Sequence, residues 1–418
     1  LKKFSVATPK ILFVSRNVPY PPVAGSSQRT ANLIDALKQV GDVSLFVIGP
    51  PHRHDMLEEA GYRVAATAEP TGRRRNPVGR LIERLAPGKA EPLWRAVGGV
   101  GVDFTPDPGL QESLRRVLAA EKFDLIVGRY LIPSAQAGVF EPGLPPAIVD
   151  IDDVDSKAVA AKIASPASGA LLRTVLRSRH GAVVRYERAL HARAARLWFS
   201  NPDDLSLSPA NGDVVPNIPF ALPARDTLRH SPADSRTILW VGSFNHRVNL
   251  EGVALFLQRA WPAILRACPD ARFRIVGSSL PDTFQRRWQE IPGVEVVGFA
   301  PALAPHYAEA ALTIVPLLDG AGTKIKVLES LGYLRTSVVT RHSVAGFESL
   351  LRDGESLRLA DTLEGLVEPV VQLLGDPGLR HAMESCGRAV VESRFAPAAV
   401  GEAVRRSVER LIGETSRG

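Results

Sequence analysis

KILFVSRNVPYPPVAGSSQRTANLIDALKQVGDVSLFVI, residues 10–48, decides the fold class. Residues 10–15 are a short apolar run rich in β-formers, and residues 43–48 are a second one. Between them a polar loop, 16–28, leads into Leu33, Ile34, Leu37 and Val40, which recur at helical spacing. Strand, helix, strand in this order opens a parallel sheet with right-handed crossovers.

The same rhythm continues on both sides. Strands are expected at 64–66, 123–127, 147–150, 197–200 and 214–217, and helices at 110–120 and 168–196. Residues 70–108, rich in Arg, Gly and Pro, carry no clear period. Residues 218–235 hold Pro219, Pro223, Pro232 and several charges, and read as a linker. The pattern then restarts with strands at 237–241, 273–277, 294–298, 312–316 and 337–340. Helices are expected at 249–267, 324–334, 363–374, 379–394 and 397–412. The expected fold is α/β, with two Rossmann-like doubly wound parallel-sheet domains at 1–217 and 236–395 facing a central cleft. A last helix at 396–418 is able to cross back to the first domain. Ligands of such sheets bind beyond the carboxyl ends of the strands. Gly25, Gly242, Gly277, Gly298, Gly320 and Gly322 all follow expected strands.

Length and composition agree. The 418 residues are too many for one ordinary core, and 45% hydrophobic with 23% charged residues is the balance of a folded protein. Cys268 and Cys386 stand in no metal-ligand spacing, which argues against a disulfide framework or a zinc site and fits a reducing cytoplasm. No apolar run approaches the ~20 residues that span a bilayer. Residues 1–4, LKKF, lack both the apolar stretch of a signal peptide and a methionine, so the native start is expected elsewhere. The net charge of +7 is local. Arg73, Arg74, Arg75, Arg80, Arg84, Lys89 and Arg95 crowd one stretch. Arg173, Arg177, Arg179, Arg185, Arg188, Arg193 and Arg196 crowd another. These stretches suit an anionic membrane surface at the inner face of the membrane or a phosphorylated acceptor; solvated helix faces explain them equally well.

The richest chemistry lies in residues 316–329, PLLDGAGTKIKVLE. Gly320 and Gly322, flanking Ala321, let the backbone turn tightly and approach a ligand, and Thr323 is a good N-cap. Lys324 and Lys326 then sit in a first helical turn, where lysine opposes the helix dipole. A bound phosphate reverses that penalty, because free N–H groups and ammonium groups both face it. Glu329 lies one turn after Lys326 on the same face, placed to accept hydrogen bonds from ribose hydroxyls. A plain capped surface helix with an ion pair is the competing reading.

Other candidates are thinner. Gly25 and Ser26 open a helix after the loop 19–28, either an anion-friendly terminus or an ordinary turn. Asp150, Asp152, Asp153 and Asp155 follow a strand. They lack the glycine and distal glutamate of a calcium loop, so helix capping or acceptor orientation is favoured over a metal. Arg129 and Tyr130 follow another strand end, where an arginine can hold an acceptor phosphate or carboxylate. Glu348 after Gly346 faces either donor hydroxyls or solvent. The histidines show no metal spacing, and the five tryptophans form no stripe.

Residues 312–350 resemble the donor site of glycosyltransferase family 4, in the branch found in bacterial exopolysaccharide clusters. The resemblance runs over most of the chain. It includes the loop at 20–25 (YPPVAG), the acidic segment 150–156 (DIDDVDS), Gly242-Ser243, Val276-Gly277, 298–301 (GFAP) and 345–348 (AGFE). It implies the GT-B fold and a retaining transfer without a metal or tightly bound cofactor. The donor is then a nucleotide-sugar, UDP- or GDP-linked, and the acceptor lipid-linked or polysaccharide. The donor would lie against Gly25, Ser26, Gly242, Ser243, Gly277, the loop 320–323, Lys326 and Glu329. The acceptor would lie near Arg129, Tyr130, Asp152 and Asp153. The sequence departs from the family pattern in four places. Of two glutamates seven residues apart, Glu329 matches the second, and Ala321 stands at the first. Ser243 and Val248 stand where an arginine and a lysine are common, leaving His246, Arg247 and Lys326 to serve. Arg129 stands near the place of a catalytic histidine. Two other readings stay open: a nucleotide-sugar epimerase or other GT-B enzyme, and a basic polyanion-binding or nucleic-acid-binding protein. No recognised nucleic-acid module is present. No Gly-x-Gly-x-x-Gly follows the first strand, which disfavours a dinucleotide oxidoreductase.

Overall fold

A computed structural model of the chain describes residues 8–22, 25–71, 103–164, 169–218, 222–319 and 325–415. The chain divides into two compact units. The first is Leu1–Pro216 with Val400–Gly418, the second Asn217–Ala399.

The first unit runs β1 Lys10–Ser15, α1 Gly25–Lys38, β2 Asp42–Ile48, α2 Arg53–Glu59, β3 Val64–Ala68, α3 Pro108–Ala120, β4 Leu125–Arg129, α4 Leu131–Ala137, β5 Ala147–Ile151, α5 Asp155–Ala164, α6 Ala170–His191, β6 Arg196–Phe199 and β7 Gly212–Val214. The strands form one parallel sheet in the order β3-β2-β1-β4-β5-β6-β7. Strands β1, β2, β4 and β5 are buried almost end to end, as strands covered on both faces must be. Leu12, Val14, Phe46, Ile48 and Ile126 meet Leu110 and Leu114 of α3 in one core. Helix α3 starts sharply because Asp107 accepts from the N–H groups of Gly109 and Leu110 at 3.0 Å, with Pro108 in the first turn.

The second unit runs β8 Thr237–Val241, α7 Arg247–Arg259, α8 Trp261–Ala267, β9 Arg272–Val276, α9 Asp282–Gln289, β10 Val294–Gly298, α10 Ala304–Glu309, β11 Leu312–Val315, α11 Ile325–Gly332, β12 Ser337–Thr340, β13 Arg358–Ala360, α12 Val367–Gly375 and α13 Pro377–Arg394. Its parallel sheet is ordered β10-β9-β8-β11-β12-β13. In both sheets the order reverses beside the first strand, at β1/β4 and at β8/β11. These are the topological switch points where such folds hold ligands. A last helix, α14 Pro397–Thr415, follows. From Val400 onward the chain packs in the first unit, where Trp198 of β6 donates to Ser407 Oγ at 2.8 Å and Ser407 donates to Asp213 at 2.6 Å.

The expected α/β fold of two doubly wound parallel sheets is present, with local differences. The single helix expected over 249–267 is two, α7 and α8. Pro262 lacks an N–H and clashes with the preceding turn, so the chain breaks at Ala260. The helix expected to reach 196 stops at His191. There Asn211 Nδ2 donates to the carbonyls of His191 and Ala194, freeing Arg196 to start β6. Strand β7 ends at Val214, before Pro216. Residues 230–232 are tied down: buried Arg380 donates to Ser231 Oγ at 3.1 Å and to the Pro232 carbonyl at 2.8 Å, and buried Glu384 accepts from Ser231 N at 3.2 Å.

Candidate functional site

The carboxyl edge of the second sheet is built on close backbone contacts. Gly242 N donates to the Val276 carbonyl at 3.1 Å, and Gly277 N donates to the Gly298 carbonyl at 2.7 Å. A Cβ on Gly277 would stand 1.8 Å from the Gly242 carbonyl oxygen, so no side chain fits there. Gly252 of α7 similarly lies against the Pro316 carbonyl, 2.8 Å from where its Cβ would be. Glycine therefore lets α7 and the segments after β8, β9 and β11 crowd together at the switch point.

Lys326 and Glu329 of α11 sit beside this edge. Lys326 Nζ donates to Asn249 Oδ1 at 2.6 Å and lies 5.7 Å from the Trp240 ring centre. Asn249, buried in the first turn of α7, in turn donates from Nδ2 to the Ser243 carbonyl at 2.6 Å. Ser243 Oγ is 3.3 Å from Ser278 Oγ. Arg247, the first residue of α7, pairs with Glu251 and reaches Asp319 at 4.0 Å, which links the start of α7 to the chain leaving β11. Glu329 is buried and accepts from Tyr307 Oη at 3.3 Å. Tyr307 stacks on Tyr333, centroids 4.2 Å apart and nearly parallel. Burial pushes the Glu329 carboxyl up to about 7, against the opposing pull of the Tyr307 hydroxyl and the Lys326 charge. The arrangement offers a cation at a helix start and, one turn on, a carboxylate that ionises near neutrality. Among the expected donor residues, Gly242, Ser243, Gly277, Arg247, Lys326 and Glu329 are thus gathered in one unit. Gly320, Ala321, Gly322, Thr323 and Lys324 lie outside the described residues, as do the arginines of 73–95.

The first unit has its own polar centre at the β1/β4 switch point. Arg129 ends β4 directly opposite Asp150 of β5. Arg129 donates to Asp150 Oδ2 at 2.6 Å and to Asp152 Oδ2 at 3.0 Å. Arg29 of α1 donates to both Asp150 oxygens, at 2.5 and 3.1 Å, and to the Val215 carbonyl at 2.9 Å. Burial works against the Arg129 charge, but Asp150 and Asp152 more than compensate and hold its pKa above the usual arginine value. Arg129 and Asp150 are fully buried, so both are framework groups. This changes the expectation that Arg129 itself reaches an acceptor: its guanidinium is already engaged by two carboxylates. Tyr130 adopts φ of +66°, a costly conformation for a side chain of its size. Its ring lies under the Arg129 guanidinium at 3.8 Å, and its hydroxyl donates to Asp152 Oδ2 at 3.3 Å. Burial raises the Tyr130 hydroxyl's pKa. Asp152 stays partly accessible and Asp153 is exposed. Gly25 and Ser26 form the first turn of α1, one turn before Arg29. Asp155 opens α5, in keeping with the helix-start reading of the acidic run. Among the described residues no three His, Cys, Asp or Glu side chains come together as metal ligands.

Asn249, Tyr307 and Arg29 were not among the expected site residues, and Asp150 was named only as a member of its acidic run. Each acts through a partner distant in sequence. The only local signals were Asp150 in its acidic run and a polar residue on the inner face of α7.

Residues 235–376 match the family model described as glycosyl transferases group 1. No curated protein matches the chain. Among solved structures, the sucrose-phosphate synthase of Thermosynechococcus elongatus is similar at 17% identity and TM-score 0.66, covering 97% of this chain and 100% of that one. Anabaena HepE in complex with UDP is similar at 12% identity and TM-score 0.64, covering 96% and 100%. A glycosyltransferase from Rickettsia africae is similar at 12% identity and TM-score 0.62, covering 97% and 98%. The fold is GT-B. The family match and the fold together support transferase activity.

Proposed function

We propose that this chain is a retaining glycosyltransferase of family 4 that takes a sugar from a uridine-diphosphate donor and adds it to a lipid-linked or polysaccharide acceptor in cell-surface glycan synthesis. The observation that carries this reading is the placement of Lys326, bonded to Asn249, and of buried Glu329 within the first turns of α11, beside the glycine-lined switch point. Complexes of Anabaena HepE with UDP and with UDP-glucose favour uridine over guanosine.

In this reading the donor diphosphate lies against the start of α11. Lys326 and Arg247 neutralise the charge that grows on the departing diphosphate. Asn249 fixes the Lys326 ammonium through a charge-assisted hydrogen bond. Glu329, ionised, accepts from the ribose hydroxyls, with Tyr307 holding its second oxygen. On the first unit, Asp152 and Asp153 receive acceptor hydroxyls, while Arg29, Arg129 and Asp150 keep Asp152 and Tyr130 in place. No described helix is long and apolar enough to cross a membrane, so a lipid-linked acceptor would be met at a membrane surface. The test is a thermal-shift series with UDP, GDP, ADP and TDP, followed by turnover with the matching nucleotide-sugars and NMR of the product anomer. Stabilisation by UDP with an unchanged anomeric configuration is expected. A product of inverted configuration, or no nucleotide response at all, contradicts the reading.

A further inference from the structure

We propose that Tyr307 is a positioning residue for Glu329: its hydroxyl holds one carboxylate oxygen and so keeps the other open to the donor's ribose at neutral pH. The proposal rests on the donor site described above and adds to it a group that touches no substrate. Tyr307 is fully buried, and its hydroxyl donates to Glu329 Oε2 at 3.3 Å. Among the described residues this is the only hydrogen bond to the carboxyl. A phenylalanine would fill the same space with no hydroxyl to satisfy, so this bond is what the tyrosine adds. The ring is fixed from three sides. It stacks on Tyr333, with centroids 4.2 Å apart and planes 6° off parallel. It packs with Leu239 and Val276, in the strands that lead to Gly242 and Gly277. Behind it, buried Arg335 donates from Nε to the Tyr307 carbonyl at 2.6 Å and from Nη2 to the Ala308 carbonyl at 3.0 Å.

Burial disfavours the Glu329 charge and pushes its carboxyl up to about 7; the Tyr307 bond is the larger of two opposing influences, ahead of the Lys326 ammonium. The titratable and charged groups facing this carboxyl are Tyr307 on α10 and Lys326 and Tyr333 on α11. Burial, with the Glu329 charge, holds the Tyr307 hydroxyl well above the usual tyrosine range, so it stays a donor. With Oε2 accepting from Tyr307, a proton on Glu329 sits on Oε1, the oxygen that a ribose hydroxyl would approach, and binding must expel it. Without the Tyr307 hydroxyl, burial is opposed by Lys326 alone, and the carboxyl stays protonated to higher pH.

The test is calorimetric titration of UDP-glucose into the full chain and into Tyr307→Phe between about pH 6 and 8.5. Losing one hydrogen bond to a buried carboxylate should move the binding midpoint up by about one pH unit. The variant should then bind about ten-fold more weakly at about pH 6, about five-fold at about pH 7 and within about two-fold at about pH 8.5. A packing defect would lower affinity at every pH, so recovery at high pH separates the two roles. Repeating the wild-type titration near neutral pH in Tris and in HEPES, whose ionisation heats differ, should show about half a proton released per UDP-glucose bound. Melting curves check that the variant is folded, and the proton count tests the wild-type chain whatever the variant's stability. A wild-type chain that binds no UDP-glucose at any pH removes the donor reading and the proposal with it. Wild-type binding with the same midpoint in both proteins, an equal loss at every pH, or binding without proton release overturns the proposal and leaves the donor site standing.

Discussion

Lys326 Nζ meets Asn249 Oδ1 at 2.6 Å and so ties the first turn of α11 to the first turn of α7, across the switch point of the second sheet. A lysine in a first helical turn is unfavourable by itself, and the bond to Asn249 relieves only part of that. Lys326→Ala should therefore leave thermal stability nearly unchanged while lowering kcat/KM at least about 100-fold, the scale of one lost charge-assisted contact to a transition state. Asn249→Ala should fall between the two, with Lys326 present but unguided. Steady-state kinetics and melting curves on the same preparations separate the effects.

Glu329 gives a pH signature. Its carboxyl ionises at about 7 in the folded chain and near 4.5 unfolded, because burial disfavours the charge. Between those values the folded state holds the extra proton, so this group's contribution to stability is present at low pH and declines as pH rises through about 7. A ribose diol prefers the ionised form. UDP-glucose affinity should then rise about ten-fold from pH 6 to 8, then level off. The diphosphate diester of the ligand does not titrate in this window. Calorimetric titration of Glu329→Gln should show weaker and pH-independent binding.

Gly277 is a packing requirement. With a Cβ 1.8 Å from the Gly242 carbonyl oxygen, Gly277→Ala must move backbone rather than a flexible side chain. Overpacking of this kind costs about 1–3 kcal/mol or more. Urea unfolding should show that loss, accompanied by weaker UDP binding, since the same strand ends form the proposed donor edge.

The Arg29–Asp150–Arg129 centre should behave as a framework. Arg29→Met leaves Asp150 buried with half its partners, and breaking such a pair costs about 3–5 kcal/mol. The loss should appear in the melting of the first unit, with UDP affinity of the isolated nucleotide unaffected. Asp152→Asn, partly accessible, should instead cost little stability and raise KM for the acceptor.

The fold was legible because its signals are local. Apolar runs ending in glycine and helices of period 3.6 place β8, β9, β11 and α11 without any knowledge of contacts. The shared face of Lys326 and Glu329 needs only that period. Short helices such as α2, α9 and α10 were not seen, being too brief to establish a repeat. The break between α7 and α8 was available in Pro262 but was overridden by continuous apolar spacing. The partners of the site were hidden for a different reason. Asn249 meets Lys326 across 77 residues, and Arg29 meets Asp150 across 121. Such pairings follow from sheet order and register. Arg129 illustrates the same point: its place at a strand end suggests a ligand, whereas its register opposite Asp150 buries it.

The most direct measurement is UDP binding by isothermal titration to the full chain and to Lys326→Ala at pH 8, where Glu329 is ionised. The wild-type chain should bind UDP, and removal of this one ammonium should weaken binding at least about ten-fold without lowering the melting temperature. UDP binding of equal strength in the two proteins would contradict a diphosphate site at the start of α11.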